Sequence, residues 1–330
     1  MSYKKPISRR EFIRWLGMAG AGAALTACGN EVLSTPLVIK PTQTSLPVTS
    51  AQAPTQAVIP GGNAYLAVAR GENPAELTRR AVEALGGMQR FVKSGNDVII
   101  KPNICTDYHT FEYAATTNPE VVAELVRQCL AVGARRVRVM DAPFGGSAES
   151  AYLKSGIADA VTAAGGQMEV MNSAKYAKTP ILQGLDIKEW WFYQEILTTD
   201  VLINVPIAKQ HGSAGLTLGC KNLMGTLQNR DMIHQNLHQR IADITSLVCP
   251  DLTIVDAYRI LLRGGPTGGD LNDVKLTKTV IASHDIVAAD AYACTLFGRT
   301  AEDIGYIRSA ASMGIGTKDL ASIKIEELAV

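Results

Sequence analysis

The stretch 201–227, VLINVPIAKQHGSAGLTLGCKNLMGTL, decides the fold, because it joins a β-branched run first to charge and then to glycines. Val201-Leu202-Ile203-Asn204-Val205 is apolar and stops at Pro206, the pattern of a buried strand. Its exit is expected to be a loop carrying Lys209 and His211, with a helix beginning near 213–216. Gly212, Gly215 and Gly219 let backbone approach another group closely, while Lys221 and Asn222 carry side chains suited to an anion or a carbonyl. The stretch therefore has the composition of a binding site.

The same alternation of short β-branched runs and helical stretches extends in both directions. Strands are expected over 65–69, 98–101, 136–140, 168–171, 201–205, 252–255 and 279–282, with helices over 74–91, 119–132, 148–164, 237–247 and 285–297. A last helix over 301–313 and an edge strand over 322–327 complete the pattern. Asn73 and Asn118 stand as N-caps before Pro74 and Pro119 in the first turns, and Asp285 caps the helix after it. Strands alternating with helices predict an α/β fold with a mostly parallel, doubly wound sheet and helices on both faces, in one large domain or two lobes.

Several strands finish in polar residues: Lys101 and Asn103, Asp141, Asn204, and Asp256. Ligands of open parallel sheets bind outside the carboxyl ends of the strands, so these residues are expected to converge on one crevice with Lys209 and His211.

The amino-terminal region has a different character. Arg9 and Arg10 lie in Ser8-Arg9-Arg10-Glu11-Phe12-Ile13-Arg14, which resembles a twin-arginine export signal, and the apolar stretch 15–27 is too short for a membrane span. Leu25-Thr26-Ala27-Cys28 resembles a lipobox, making Cys28 the expected site of lipidation. Residues 29–62 are rich in Pro, Thr, Ser and Gln and are expected to be a disordered tether reaching ~30 Å. The expected organisation is a signal peptide over 1–28, a tether over 29–62 and an α/β domain over 63–330. The expected partners are the twin-arginine export machinery and a membrane held through the Cys28 lipid, with the domain outside the cytoplasm. The first 28 residues carry a net +4, so the rest carries −3 of the formal total of +1. A mildly acidic domain without a basic face excludes nucleic acid as the expected partner.

The matching pieces Ile100-Lys101-Pro102-Asn103, Asp141-Ala142-Pro143, Lys209-Gln210-His211, Cys220-Lys221-Asn222-Leu223-Met224-Gly225, His238 with Ile241-Ala242-Asp243, Ile254-Val255-Asp256-Ala257, the run from Gly264 to Gly269, and Ser283 through Asp285 to Asp290 resemble the domain-of-unknown-function 362 family. The resemblance covers nearly all of 99–316 and implies little about function. Some members carry a ferredoxin-like region and are described as iron-sulfur proteins. Here Cys105, Cys129, Cys220, Cys249 and Cys294 include no C-x-x-C pair, so an iron-sulfur cluster is not expected. Cys129, Cys249 and Cys294 are expected as buried small hydrophobes, with Cys105 and Cys220 beside the site.

Lys101, Lys209 and Lys221 are candidates to neutralise a small anion, with Asn103, Asn222, Gly265 and Gly268 as further ligand-binding positions; a solvated or ion-paired role is the alternative for the lysines. The glycine-rich loop around Gly265 and Gly268 either wraps an anion with bare N–H groups or forms a long hairpin lid. Lys209, His211 and Asp256 are the candidate catalytic groups. Asp141, Asp256 and Asp290 supply oxygen ligands for a divalent metal, and His234 and His238 stand at the i, i+4 metal spacing unless they form a solvated turn. These readings predict an exported, lipid-tethered enzyme acting on a small anionic substrate through a divalent metal or a Lys/His/Asp acid-base site. The rival is a non-catalytic lipoprotein that captures a ligand or metal, with an iron-sulfur redox protein disfavoured.

Overall fold

Buried β-branched runs become strands, and a computed structural model of the chain describes them over residues 63–330. The expected signal peptide, lipobox and tether, and their boundaries at 28 and 62, lie outside the described residues. In chain order the elements are β1 (Leu66–Arg70), α1 (Pro74–Ala84), β2 (Asp97–Pro102), α2 (Pro119–Ala131), β3 (Arg136–Val139), α3 (Ala148–Lys154), α4 (Ile157–Ala163) and β4 (Gln167–Met168). Then come β5 (Tyr176–Pro180), β6 (Glu189–Tyr193), α5 (Gln194–Thr198), β7 (Val201–Val205), β8 (Ile207–His211), β9 (Gly215–Thr217) and α6 (Gly219–Asn222). The last are α7 (Leu237–Val248), β10 (Leu252–Leu261), β11 (Val274–Ser283), α8 (Ile286–Thr295), α9 (Gly305–Ser312) and β12 (Ile325–Ala329).

Ten of these strands form one sheet among the described residues, with the main order β12-β1-β11-β10-β7-β2-β3-β4. Within it β11 and β9 alone run against the other strands, so the sheet is mostly parallel and the fold is α/β. Alternate residues such as Val98, Ile100, Ile203 and Ile254 pack with α1, α2 and α4 in one core, while Ile99, Leu202, Val255 and Ile281, pointing the other way, are equally buried. Each such Val, Ile or Leu contributes roughly 1.5–3 kcal/mol by leaving water. Both faces are therefore covered. No helix of the described residues is long and apolar enough to cross a membrane.

The helix starts follow their caps. Asn73 and Asn118 accept from the backbone of Glu76 and Glu120, and Asp285 accepts from Val287 and Ala288. Several expected elements differ: β10 and β11 each run to ten residues, β4 is only Gln167–Met168, and the last helix starts at Gly305. The helix expected over 74–91 stops at Ala84 because Gly86 and Gly87 adopt φ of +103° and +79°, and the one expected over 148–164 breaks at Gly156, φ +75°. No helix starts at 213–216: Pro206 only interrupts the run, Lys209 and His211 lie on β8 and not on a loop, and a turn returns the chain as β9. The β5–β6 pair was not expected, and Asp243 holds its turn by accepting from the backbone of Leu185, Asp186 and Ile187.

One topological detail positions everything that follows. From β2 the chain proceeds to β3 and β4 on one side, yet β7 and β10 lie on the other, so the winding reverses between β2 and β7. Lys101 pairs with Asn204 at that reversal, where an open α/β sheet leaves a crevice at the carboxyl ends of its strands.

Candidate functional site

At the end of β2, Lys101 is buried, 1 % exposed. Its ammonium lies 2.7 Å from Asp141 Oδ1, just past β3, and donates to Asn222 Oδ1 (2.8 Å) and the Pro102 carbonyl (3.0 Å). Burial pushes the Lys101 pKa down, and Asp141 works against that. The Asp141 carboxylate also accepts from the amides of Ile104 (2.7 Å) and Ala142 (2.9 Å). An ammonium can only donate, so the Asn222 oxygen must face Lys101; its amide nitrogen then donates to Asn204 Oδ1 at 2.9 Å. Asn103 donates to the same Asn222 oxygen (2.8 Å), and its own oxygen accepts from Lys209 (2.9 Å). One hydrogen-bonded chain thus runs Asp141–Lys101–Asn222–Asn103–Lys209 across β3, β2, α6 and β8.

Lys209 is 1 % exposed, and besides Asn103 it donates to the carbonyls of Ala115 (2.6 Å) and Pro266 (2.9 Å). All three partners are neutral, and Lys209 forms no ion pair with any described residue. Period two along β8 puts His211 on the same face as Lys209. Above the chain opens a crevice of ≈ 630 Å³, whose charged lining is Lys101, Lys209, Lys221 and Arg230 against Asp141 and Asp231. Arg230 again meets only neutral acceptors, the carbonyls of Ala142 (2.7 Å) and Pro143 (3.1 Å). Four cations against two carboxylates leave an excess of two positive charges. A carboxylate 4 Å from one such cation gains about 4 kcal/mol at the effective dielectric of a partly buried site.

His211 is 9 % exposed and accepts from the Ala214 amide through Nδ1 (3.2 Å), so in its neutral form Nε2 bears the proton. Burial, then Lys221, Lys209 and His234, push its pKa down to about 3. At neutral pH His211 is therefore the uncharged imidazole, with Nε2–H as its donor. Lys221 makes no hydrogen bond or ion pair through its side chain with any described residue. Burial, followed by the charges of Lys209 and Arg230, lowers its pKa to about 8.

Other expected site residues are placed elsewhere. Asp256 is fully buried beneath the loop after β2 and accepts from the amides of Asn118 (2.7 Å) and Tyr258 (3.0 Å); it does not line the crevice. Asp290 on α8 accepts from the amides of Gly219 (2.6 Å) and Cys220 (2.9 Å), anchoring the helix that presents Lys221 and Asn222. Burial raises the pKa of both, to about 6 for Asp256 and about 7 for Asp290. His234 lines the crevice from a 3₁₀ segment, Arg230–Asn236, whereas His238 begins α7 and stacks on Tyr306, so the break at Asn236 destroys the i, i+4 register. The five expected metal ligands thus do not meet. Among the described residues no group of three or more His, Cys, Asp or Glu is placed to hold a metal.

The glycine-rich loop joins β10 to β11. The two candidate amides are committed elsewhere: Gly265 donates to Gln210 Oε1 and Gly268 to the Gly264 carbonyl. What it contributes is the Pro266 carbonyl, which Cys105 also contacts, at 3.3 Å. Cys105, Cys129, Cys220 and Cys294 are buried, but Cys249 is exposed just past α7.

Arg230 has no signal in the sequence, since an arginine in a polar turn carries no pattern, whereas Asn204, expected at a polar strand end, joins the network by accepting from Asn222. Gly225 had a signal, the spacing Lys221-Asn222-x-x-Gly225. A Cβ there would lie 2.2 Å from Asp141 Oδ1 and 2.6 Å from Lys101 Nζ, so only glycine lets this segment cover the ion pair.

The fold and site define an α/β protein whose cation-lined crevice sits where the strand order reverses. The chain belongs to the domain-of-unknown-function family DUF362, whose model matches residues 98–295 and so includes every crevice cation named above. The thylakoid-associated protein sll1697 of Synechocystis sp. is 28 % identical over 221 residues, 64 % of this chain and 66 % of the relative. The chain thus spans just under two thirds of that relative's length. Among solved structures, the lactate racemase apoprotein of Thermoanaerobacterium thermosaccharolyticum is 13 % identical with a TM-score of 0.44, covering 72 % of this chain and 58 % of that one. A Thermotoga maritima protein is 12 % identical with a TM-score of 0.40, covering 69 % and 60 %.

Proposed function

We propose that the crevice binds a small organic anion and that the protein is an enzyme acting on it. The observation that carries this reading is Lys209, a buried ammonium satisfied only by neutral oxygens, in a crevice that already holds excess positive charge. Lys101, Lys209 and Arg230 are held in place before any ligand arrives, so little ordering opposes binding. His211 would donate through Nε2, and Lys221, with its pKa near 8, would neutralise charge or exchange a proton. A divalent cation fits this lining poorly, because Asp141 is already engaged by Lys101 and two amides.

Titration calorimetry with oxalate, sulfate and phosphate at constant ionic strength tests the reading. Arg230→Gln is expected to weaken oxalate about tenfold, the loss of one charge-assisted hydrogen bond. Affinity should also fall as pH rises through about 8, because Lys221 is cationic below that value and neutral above it. No binding of any of the three at millimolar concentration would sink the proposal. Saturable binding with no turnover across a panel of small carboxylates and phosphates would instead favour a capture protein, for which the preformed crevice is also suited.

We further propose that the domain is exported by the twin-arginine route and tethered outside the cytoplasm through lipid on Cys28. The sequence Leu25-Thr26-Ala27-Cys28 supports this, and a relative named as thylakoid-associated is consistent with life at a membrane. Cys28→Ser is expected to move the protein from the membrane fraction to the soluble one. Unchanged fractionation would remove the lipid anchor.

A further inference from the structure

The four cations of the crevice are not equivalent. Lys101 is bound to Asp141, Asn222 and the Pro102 carbonyl, and Lys209 to Asn103 and the carbonyls of Ala115 and Pro266. Arg230 is clamped on two carbonyls through its guanidinium, which has no acceptor and no free lone pair to offer. An amine whose N–H groups are all engaged in donating cannot present a lone pair. Lys221 is the exception: its side chain lines the same crevice without a hydrogen bond or ion pair to any described residue.

The backbone around Lys221 is built to hold it there. Asp290 accepts from the amides of Gly219 and Cys220 at the start of α6, and Asn222, the next residue, is fixed by Lys101, Asn103 and Asn204. The Lys221 stem is thus rooted between two anchored points while its amine remains uncommitted. Removal from water and the adjacent charges of Lys209 and Arg230 favour the neutral amine, and hence the lone pair.

We propose that Lys221 is a nucleophile that forms an imine with a small carboxylate bearing an aldehyde or ketone. The inference rests on the anion-binding reading of the crevice and names the substrate class within it. The neutral amine attacks the carbonyl carbon, a C–N bond forms, and the π pair moves to oxygen, which takes up a proton to give a carbinolamine. With one proton already passed from nitrogen, the hydroxyl takes up a second proton and leaves as water with the C–O bonding pair while the nitrogen lone pair forms the C=N bond, and nitrogen then releases its remaining proton to give the neutral imine. No oxidant or reductant is required. The buried charges of Lys101 and Lys209 attract the carboxylate, Arg230, which uses two of its five N–H groups on carbonyls, donates to it, and His211, a neutral donor lining the same crevice, does not compete as a nucleophile.

The test is reductive trapping on the full-length protein with glyoxylate and cyanoborohydride, followed by peptide mass mapping. Near pH 8 about half of Lys221 is free amine, against about 0.4 % of an ordinary lysine, so carboxymethylation should reach Lys221 at least about tenfold faster than any other lysine. The labelling rate should rise with pH through the same range in which oxalate affinity falls. Oxalate, an anion with no electrophilic carbonyl, should protect Lys221, and Lys221→Arg should bind oxalate yet form no adduct at this position. If oxalate binds but Lys221 is labelled no faster than surface lysines, the imine inference falls and the anion site stands. Labelling of Lys221 that oxalate neither slows nor competes with overturns both.

Discussion

Asp141→Ala is expected to cost about 3–5 kcal/mol of unfolding free energy, because it leaves the Lys101 ammonium buried without its carboxylate. Urea denaturation at neutral pH would show it as a lower midpoint with an unchanged slope. The deficit should depend on pH with a definite sign. With Asp141 gone, Lys101 in the folded state has a depressed pKa, so between that value and ~10.4 the unfolded chain binds a proton that the folded chain does not, and stability rises with pH. The variant should therefore approach the parent as pH climbs toward 10 and fall furthest behind below neutrality. Combining it with Lys101→Met replaces the ion pair by an apolar chain of similar length, and most of the stability should return. Oxalate binding should not return with it. Loss of less than about 1 kcal/mol in Asp141→Ala would mean that the pair does not carry the buried charge.

Gly225→Ala is the second large effect. The added methyl would sit against Asp141 Oδ1 and Lys101 Nζ, both fixed by further hydrogen bonds, so the strain cannot relax by swinging a free side-chain end. Overpacking of this kind costs typically 1–3 kcal/mol, and displacing the ion pair adds to it, for a total of about 3 kcal/mol or more. Gly212→Ala, in the turn between β8 and β9, meets nothing within 4 Å and should stay within about 0.5 kcal/mol of the parent. A melting comparison of the two would separate a specific clash from a general need for glycine. Equal melting temperatures would show that the segment over the Lys101–Asp141 pair has room to move.

The strands were legible because their residues leave no choice: Val98-Ile99-Ile100 and Val201-Leu202-Ile203 are apolar on both faces and too short for helices. The helix caps were legible because Asn-Pro at 73–74 and 118–119 combines a side-chain acceptor with a fixed φ. Lys101, Asn103, Lys209, Lys221 and Asn222 were singled out by type and position, and the fold gathers them, although their roles remain those proposed above. The carboxylates were harder. Asp141, Asp256 and Asp290 are alike as letters, and what separates them is the neighbour in space: a lysine for Asp141, two backbone amides each for the others. For His234 and His238 the limit is a related one, since spacing carries geometry only while the helix continues, and it does not continue through Asn236. Pro206 reads as the end of a strand because proline lacks an N–H, yet β8 begins immediately after it and carries both Lys209 and His211.

The pairing of β2 with β7 has a further consequence, for the order of events as the chain is made. Lys101 finds Asn204 only after the hundred-odd residues between them have been synthesised, and Lys221 and Arg230 come later still. Until then β2 presents an open, β-branched edge, a condition that slows folding and exposes nascent chains to misassembly. The crevice is consequently a late product of folding, and a shortened chain ending before 222 would lack it however well β2, β3 and β4 had formed. A ligand that binds there acts as an inspector of completeness, stabilising finished molecules by mass action and leaving unfinished ones to proteolysis.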